Sequence, residues 1–318
     1  MTTATQAAPT PTPTTVRPST TDAQGFPTEP RARWARRAPL LPALVFMIVV
    51  TQLPFVATLV ISFFRWSAFR PDDRGFAGFD NYAAVFIDAD LRASVLTTIV
   101  LTVSVVLLSL AFGLGIALLL DRKFLGRSIV RTMIIAPFLV VPVAAALLFK
   151  HAIYNPTFGL INGVLGWFGL EGVDWISQFP LGTIVFQLVW QWTPFMTLIL
   201  LAGLQSRDAE VLEAAALDGA TPWKSFVFMT LPHMRRYLEL ASLLGAIYIV
   251  QHFDAVFTIT SGSLGTANLP YTIYQTLFTA QNYGLASAQG VLVVIGTIVV
   301  ATFALRAVSS LLKEEASR

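Results

Sequence analysis

The chain has 318 residues, of which 55% are hydrophobic and 12% are charged. Because soluble proteins carry about 25% charged residues, this composition and a mean hydropathy of +0.68 exclude an ordinary soluble protein and indicate an integral membrane protein. There is no cysteine and the three histidines are scattered, which argues against a disulfide framework and a metal site. The net charge of +3 does not indicate a nucleic-acid partner, because a basic excess is usual in the cytoplasmic loops of membrane proteins.

The first 30 residues differ in composition from the rest of the chain. Residues 1–30 are rich in Thr, Pro and Ala and have almost no large apolar residue before Phe26. Such a segment buries too little apolar surface to offset the entropy of ordering, so we expect a disordered tail. We expect residues 31–318 to form one transmembrane domain. Its first apolar run begins near Ala38 and is too long for the core of a signal peptide, which predicts a retained span.

Six apolar stretches are long enough to cross the hydrocarbon core, which takes about 20 helical residues. They cover roughly 39–64, 94–120, 129–153, 181–204, 237–260 and 286–312. The sequence therefore predicts an all-α integral membrane fold with six transmembrane helices. Pro137, Pro142 and Pro194 interrupt the third and fourth stretches. Each frees a backbone carbonyl, which either lines a cavity or accompanies a simple kink.

The positions of the basic residues predict the orientation in the membrane. Only five of the 21 lysines and arginines fall outside the N-terminal tail, the connections 121–131 and 205–236 and the C-terminal segment; they are Arg65, Arg70, Arg74, Arg92 and Lys150. Basic residues concentrate on the cytoplasmic side of membrane proteins. We therefore expect a multi-pass membrane protein with both termini in the cytoplasm.

The connection 205–236 is longer than a helix bundle needs, and its first half predicts a short helix. Ser206 or Asp208 is placed to cap this helix, and the acidic residues near its start suit the positive end of the helix dipole. The alanines at 214–216 are strong helix formers. Gly219 then supplies the left-handed turn that commonly ends a helix.

The second half of the connection predicts another helix. Thr221 and Pro222 have the pattern of a cap and a first helical position, and we expect Leu231-Pro232 to end this helix because proline has no amide to donate. A helix–glycine–helix element suits insertion into a groove on another protein. The spacing alone equally allows a connection that only caps the bundle.

The residues of this connection resemble a known motif. The segment Glu213-Ala214-Ala215-Ala216-Leu217-Asp218-Gly219, followed after nine residues by Met229-Thr230-Leu231-Pro232, is similar to the EAA loop of bacterial binding-protein-dependent ABC importer permeases. The resemblance extends over most of residues 38–312. It implies the six-helix permease bundle of that family, with a coupling helix that docks on an ATPase. The implied coupling residues are Glu213, Ala214, Ala215, Asp218, Gly219, Leu231 and Pro232.

The same resemblance implies a location in the bacterial plasma membrane and several partners. They are a second homologous permease subunit, a cytoplasmic ATPase dimer and an extracytoplasmic solute-binding protein. No glycine of this chain is followed by lysine, so the sequence has no phosphate-binding loop of the Walker A type. We therefore expect a non-catalytic subunit that binds no cofactor, with ATP and Mg²⁺ held by the partner ATPase.

Two further segments resemble the carbohydrate branch of the family, which includes maltose and glycerol-phosphate permeases. Tyr154–Asn162 and Trp190–Phe195 are similar to segments of sorbitol/mannitol permease subunits. This implies uptake of a sugar alcohol such as sorbitol or mannitol, with a di- or oligosaccharide or a glycerol-phosphate-type solute as the alternative. Ser261–Gly265 departs from the Gly-Gly-Pro stretch that many relatives have after the fifth span.

Polar and aromatic residues at membrane depth are the candidates for solute binding. Unpaired amides are costly in hydrocarbon, so glutamines there face a cavity or another helix, and aromatic faces with amide groups suit a polyhydroxylated ligand. The candidates are Gln187, Trp190, Gln191, Phe195, Gln251, Phe253 and Asp254. Ordinary helix packing is the alternative for each, and Asp254 alternatively pairs with Lys150 or caps a helix end.

The competing class is a secondary transporter or a channel. It predicts charges paired at mid-bilayer or inverted repeats, and the second, third and sixth spans offer little of either. An intramembrane enzyme needs a nucleophile and base or a metal cluster, and the sequence shows neither spacing. Both alternatives leave the connection 205–236 unexplained.

Overall fold

The computed structural model describes residues 38–316. The predicted tail 1–30 lies outside the described residues. The chain divides into two compact units, one up to Ala57 and one from Thr58 onwards. The helices are α1 (Leu41–Ile61), α2 (Asp80–Ile87), α3 (Ala89–Asp121), α4 (Arg127–Leu139), α5 (Pro142–Leu148), α6 (Leu160–Trp167), α7 (Trp175–Gln178), α8 (Pro180–Gln205), α9 (Ala209–Leu217), α10 (Pro222–Ser225), α11 (Leu231–Val250), α12 (Leu269–Tyr274) and α13 (Tyr283–Ala316).

The described residues include four single π-helical turns, of which three directly follow α5, α10 and α12. They are Phe149–Ile153, Phe226–Thr230, Val256–Thr260 and Gln275–Thr279. Such turns widen a helix locally and are frequent at functional sites. Two short 3₁₀ turns, Ala38–Leu40 and Pro71–Asp73, complete the helical structure of the described chain.

A small hairpin follows α1. Its strands β1 (Phe64–Arg65) and β2 (Gly75–Phe76) are antiparallel, with Phe64 opposite Phe76. The side-chain amide of Asn81 donates to the carbonyl oxygens of Ser62 at 2.8 Å and of Phe64 at 2.9 Å. These bonds hold the start of α2 against the chain that leaves α1.

The core lies between α3, α8 and α11, and small residues let these helices approach closely. A methyl group on Gly113 of α3 would lie 3.0 Å from the Met196 Cβ of α8, and one on Gly203 of α8 would lie 2.5 Å from the Tyr237 ring of α11. Glycine at such contacts is usual in membrane bundles, where van der Waals packing rather than water exclusion holds helices together. Leu101, Val105, Ile184 and Leu188 fill one hydrophobic cluster between them.

Three described helices are long and apolar enough to cross a membrane: α1, α3 and α8. The pair Arg127–Leu139 and Pro142–Ile153 is bent by 95° and makes a fourth span if the two parts cross together. The apolar part of α13, Tyr283–Val299, is shorter. The prediction of six membrane crossings stays a prediction.

Two predicted continuous helices are broken in the structure. The stretch 129–153 is interrupted at Val140 and Val141, which are extended (ψ 133° and 131°), because a residue before proline avoids the helical region and Pro142 begins a new helix. The stretch 237–260 is interrupted after α11 ends at Val250, and helix resumes only at residue 254. The interruption by Pro142 is confirmed, whereas Pro137 and Pro194 lie inside α4 and α8.

Candidate functional site

The connection 205–236 forms the predicted first helix, α9. The Asp208 carboxylate caps it by accepting a hydrogen bond from the Glu210 amide at 3.0 Å. Ser206, the alternative cap, instead bonds the Tyr237 hydroxyl at 2.7 Å. Gly219 ends the helix with a φ of +81°, and its amide donates to the Ala216 carbonyl at 3.1 Å. The predicted cap and glycine turn are therefore present.

The second helix of the connection differs from the prediction. The Thr221 hydroxyl accepts from the Lys224 amide at 3.4 Å, as expected for a cap. However, α10 continues through the π-helical turn Phe226–Thr230 into α11, so the prediction that Leu231-Pro232 ends the helix is wrong. Pro232 lies in the first turn of α11, where the widened π turn accommodates a residue that has no amide.

The connection exposes large apolar side chains. Leu217 is 89% exposed and Trp223 is 72% exposed, and Val211 and Phe228 are also exposed. Glu213 and Asp218 are exposed beside them, whereas Ala215 is buried. Apolar side chains in such number on one short element are typical of a docking surface for another protein. We call these residues, Val211, Glu213, Leu217, Trp223 and Phe228, the loop surface.

Arg207 joins the base of this connection to three helices. Its guanidinium donates to the Leu204 carbonyl in α8 at 2.8 Å, to the Thr230 hydroxyl before α11 at 2.8 Å and to the Asp121 carboxylate at the end of α3 at 2.5 Å. In the sequence, Arg207 is only one of the basic residues of the connection 205–236 that predict the orientation in the membrane. Its partner Asp121 lies 86 positions away along the chain, so nothing local indicates the bond.

A cavity of about 360 Å³ lies where the break between α4 and α5 meets α8 and the end of α11. It is lined by Phe138, Val140, Pro142, Gln191, Trp192, Tyr248, Gln251, His252, Phe253 and Asp254. The structure therefore brings together four of the seven candidate solute residues: Gln191, Gln251, Phe253 and Asp254. Cavities of this size that combine aromatic faces with a few polar groups are typical ligand sites.

Gln187 and Gln191 of α8 form a chain of hydrogen bonds that ends at the helix break. The Gln187 amide nitrogen donates to the Gln191 oxygen at 2.9 Å, and the Gln191 nitrogen donates to the Val140 carbonyl at 3.0 Å. Gln187 is fully buried and positions Gln191 rather than lining the cavity. Gln191 thus satisfies a carbonyl at the break and also faces the cavity.

Two predicted aromatic residues lie outside the cavity lining. Trp190 contacts Phe149 with ring centroids 5.1 Å apart and lines a separate apolar cavity of about 830 Å³ between α3, α4 and α8. Phe195 stacks on Phe138 at 5.3 Å and so supports a lining residue. Neighbouring positions on a helix face different directions, which is why Trp192 rather than Trp190 reaches the polar cavity.

Several lining residues are not among the candidates from the sequence, and Trp192 and Tyr248 are the most prominent of them. Their rings stack at 5.5 Å with an interplanar angle of 27°. A helical spacing was the available signal, because Tyr248, Gln251 and His252 recur at i, i+3 and i+4. Within residues 38–316, the Trp192 indole nitrogen and the His252 Nδ1 are buried without a hydrogen-bond partner.

The acidic group of the cavity does not pair with Lys150. The Lys150 ammonium donates to the Thr258 carbonyl at 2.7 Å instead, so this alternative for Asp254 is wrong. No ion pair of Asp254 occurs among the residues that the structure describes. Its carboxylate therefore lines the cavity without a cation beside it.

Comparison with known proteins identifies the family. Residues 109–314 match the family described as binding-protein-dependent transport system inner membrane component. The chain belongs to this family. It is 34% identical over 252 residues to the probable ABC transporter permease protein y4oQ of Sinorhizobium fredii, covering 78% of this chain and 81% of that protein. It is 32% identical over 263 residues to the trehalose transport system permease protein SugA of Mycobacterium tuberculosis, covering 82% and 84%.

The fold is also that of solved importer structures. The crystal structure of a bacterial ABC transporter for import of the acidic polysaccharide alginate contains a chain of similar fold, with a TM-score of 0.75 at 21% identity over 88% of this chain and 96% of that one. The protein is thus a multi-pass membrane permease subunit of all-α fold. Permease subunits of this family are not catalytic, and ATP is hydrolysed on a separate chain.

Proposed function

We propose that this permease imports a carbohydrate across the plasma membrane by alternating access, driven by ATP hydrolysis on a partner. The observation that carries the proposal is the cavity between the α4–α5 break, α8 and the end of α11. Its lining combines the stacked Trp192 and Tyr248 rings with the carboxylate of Asp254 and the amides of Gln191 and Gln251. Aromatic faces suit the apolar C–H faces of a sugar, and the polar groups suit its hydroxyls.

Two solute classes are candidates. The resemblance of Tyr154–Asn162 and Trp190–Phe195 to sorbitol/mannitol permeases favours a sugar alcohol. The similarity to a relative named for trehalose favours a disaccharide. Both classes are rich in hydroxyl groups and lack charge, and a carboxylate such as Asp254 accepts strong hydrogen bonds from hydroxyls. A glycerol-phosphate-type solute suits this cavity less well, because Asp254 would repel the phosphate.

The loop surface is proposed to dock on the ATPase. Leu217 and Trp223 offer apolar side chains that are exposed in this chain, and Glu213 adds a charge beside them. The partners proposed with it are an ATPase dimer, a second permease subunit and an extracytoplasmic solute-binding protein. ATP and Mg²⁺ belong to the ATPase. We propose with this that both termini of the chain lie in the cytoplasm, on the side of the loop surface.

Arg207 gives this docking a mechanical consequence. It forms hydrogen bonds with the ends of α3 and α8 and with the residue before α11. These three helices form the core. A displacement of the loop surface by the closing ATPase would therefore move these helices as a body. Rigid-body rotation of this kind is one way in which a small shift at one site opens or closes another.

The Asp254→Asn substitution tests the solute site. We expect the KM for uptake to rise about tenfold. A hydrogen bond to a charged group contributes about 1.5–3 kcal/mol, and the neutral amide of asparagine loses much of this binding free energy. The measurement is the initial rate of uptake of radiolabelled trehalose, maltose, sorbitol and mannitol by cells that express the complete importer.

The matched control for this experiment is Asp174→Asn. Asp174 is an exposed carboxylate outside the cavity that caps α7, and asparagine caps helices equally well. Equal KM values for the two variants, with the solute that the wild type takes up, would remove Asp254 from the solute site.

A further inference from the structure

A series of aromatic rings leads away from the cavity. Phe253, which lines the cavity, contacts Tyr274 with ring centroids 5.2 Å apart, and Tyr274 contacts Phe278 at 5.1 Å. Phe257 stacks on Phe253 at 5.0 Å with an interplanar angle of 26°. We call Phe253, Phe257, Tyr274 and Phe278 the aromatic track.

The aromatic track ends at the surface of this chain. Phe278 is 64% exposed and Phe257 is 42% exposed, whereas Phe253 and Tyr274 are partly buried. Rings that pack a core are fully covered, whereas Phe257 and Phe278 keep much of their surface uncovered within this chain. The series therefore joins the cavity to the surface through rings alone.

The track lies at the end of the bundle opposite the loop surface. The 20 residues of α11 separate the two, which corresponds to about 30 Å of helix. The segment 261–285 that carries the outer rings contains no charged residue. In the proposed orientation this end faces the side from which the solute arrives.

Tyr271 and its hydrogen bonds hold the track in place. Tyr271 is buried beside Phe253 and Phe257, with ring centroids 6.4 Å from each. Its amide donates to the Asn268 oxygen at 3.2 Å, and its hydroxyl accepts from Gln275 at 2.9 Å. The Asn268 amide in turn donates to the His252 carbonyl at 2.7 Å, next to the cavity. These hydrogen bonds hold Tyr271 and Asn268 in place beside the aromatic track.

The exposed rings themselves lie on the unusual backbone of this region. Phe257 belongs to the π-helical turn Val256–Thr260, and Phe278 belongs to the π-helical turn Gln275–Thr279. Each turn inserts an extra residue into the helical register, which changes the direction of the side chains that follow. Each of the two π-helical turns therefore carries one exposed ring of the aromatic track.

We propose that the aromatic track conducts the sugar from the outer surface into the cavity. The apolar face of a sugar ring moves from Phe278 to Tyr274 and then to Phe253, with Phe257 as a neighbouring contact. Adjacent rings are close enough for one sugar ring to contact the next before it leaves the last, so no step exposes its apolar face fully to water. This inference rests on the proposed carbohydrate substrate and concerns the route that precedes the cavity.

The substitution Phe278→Leu tests the track because it keeps an apolar side chain and removes the aromatic face. We expect kcat/KM for uptake of the transported sugar to fall about fivefold, in line with the free energies of aromatic contacts, and Phe278→Trp to retain most of the rate. Tyr274→Leu should lower kcat/KM similarly. Rates are expressed per importer molecule, with the amount in the membrane measured by immunoblotting.

The matched control is Phe86→Leu. Phe86 is also 64% exposed, and it lies in α2, outside the track. If Phe278→Leu and Phe86→Leu have the same kcat/KM, the track proposal is wrong. It is also wrong if Phe278→Leu lowers only the amount in the membrane, which would identify the ring as an anchor at the lipid interface. A wild-type importer that takes up none of trehalose, maltose, sorbitol and mannitol would instead overturn the proposed function, and the track with it.

Discussion

The Gly219→Val substitution is expected to reduce solute-stimulated ATP hydrolysis and uptake by about tenfold or more. Gly219 has a φ of +81°, and a β-branched residue held in that region costs about 1–3 kcal/mol. Nothing lies within 4 Å of a methyl group placed on Gly219, so the effect comes from the backbone and not from a steric clash inside this chain. The turn between α9 and α10 must then change, and the loop surface loses the shape that docks on the ATPase.

The control for this prediction is Gly169→Val. Gly169 also has a positive φ of +74° and open space around its added methyl group, but it lies outside the connection 205–236. The strain is therefore matched, and we expect uptake close to that of the wild type. Gly219→Asn is expected to be milder than Gly219→Val, because asparagine tolerates the left-handed region. Full activity of Gly219→Val in the assembled importer would show that the turn is not needed for coupling.

The Arg207→Gln substitution is expected to separate ATP hydrolysis from transport and to destabilise the permease. The Arg207–Asp121 pair is partly buried, and its loss leaves the Asp121 carboxylate without its cation and the Thr230 hydroxyl without its donor. We expect a loss of about 1–3 kcal/mol in the free energy of unfolding, because a group left unpaired keeps its desolvation penalty. The measurement is thermal unfolding of the purified importer in detergent, followed by uptake per ATP hydrolysed.

Two variants define how much of the effect belongs to Arg207. Asp121→Asn removes the charge pair but leaves the Arg207 bonds to Leu204 and Thr230, so we expect an intermediate loss. Arg235→Gln breaks an i,i+4 pair in which Arg235 is exposed and the Glu239 carboxylate is partly buried, and we expect a loss of about 0.5 kcal/mol. An Arg207→Gln importer as stable and as well coupled as Arg235→Gln would contradict the mechanical role given to Arg207.

The parts of the site that could be predicted from the sequence depend on local signals. Asp208 is a helix cap and Gly219 a left-handed turn because a carboxylate before a helix and a glycine after one act within a few residues. Pro142 breaks the third stretch for an equally local reason. The EAA-like segment is likewise contiguous, and the family match over residues 109–314 confirms the family that it indicated.

The parts that could not be predicted depend on which residues meet in three dimensions. Asp121 and Arg207 come together only because α3 and α8 pack side by side and end at the same level. Gln187 and Gln191 are predicted from the sequence to face a cavity or another helix, but the acceptor of Gln191, the Val140 carbonyl, lies at a break that only the structure shows. The choice between Trp190 and Trp192 depends on the rotation of α8, and both residues adjoin Gln191 in the sequence, so their neighbours do not decide it.

The π-helical turns explain another difference between expectation and structure. Leu231-Pro232 reads as a helix end because proline has no amide, yet Phe226–Thr230 forms a wider turn and the helix continues. A single extra residue in a turn gives no clear signal in the pattern of apolar residues. Phe257 and Phe278 also lie in π-helical turns, so the directions of their side chains could not be predicted from the sequence.

ATP-dependent accumulation of a labelled carbohydrate in proteoliposomes tests the central claim most directly. The vesicles contain this permease with its partner permease and ATPase, with ATP enclosed and the solute-binding protein outside. The account predicts that trehalose, maltose, sorbitol or mannitol accumulates only with both ATP and the binding protein, and that ionophores which collapse ion gradients leave the accumulation unchanged. Accumulation driven by an ion gradient without ATP would contradict the account and identify a secondary transporter.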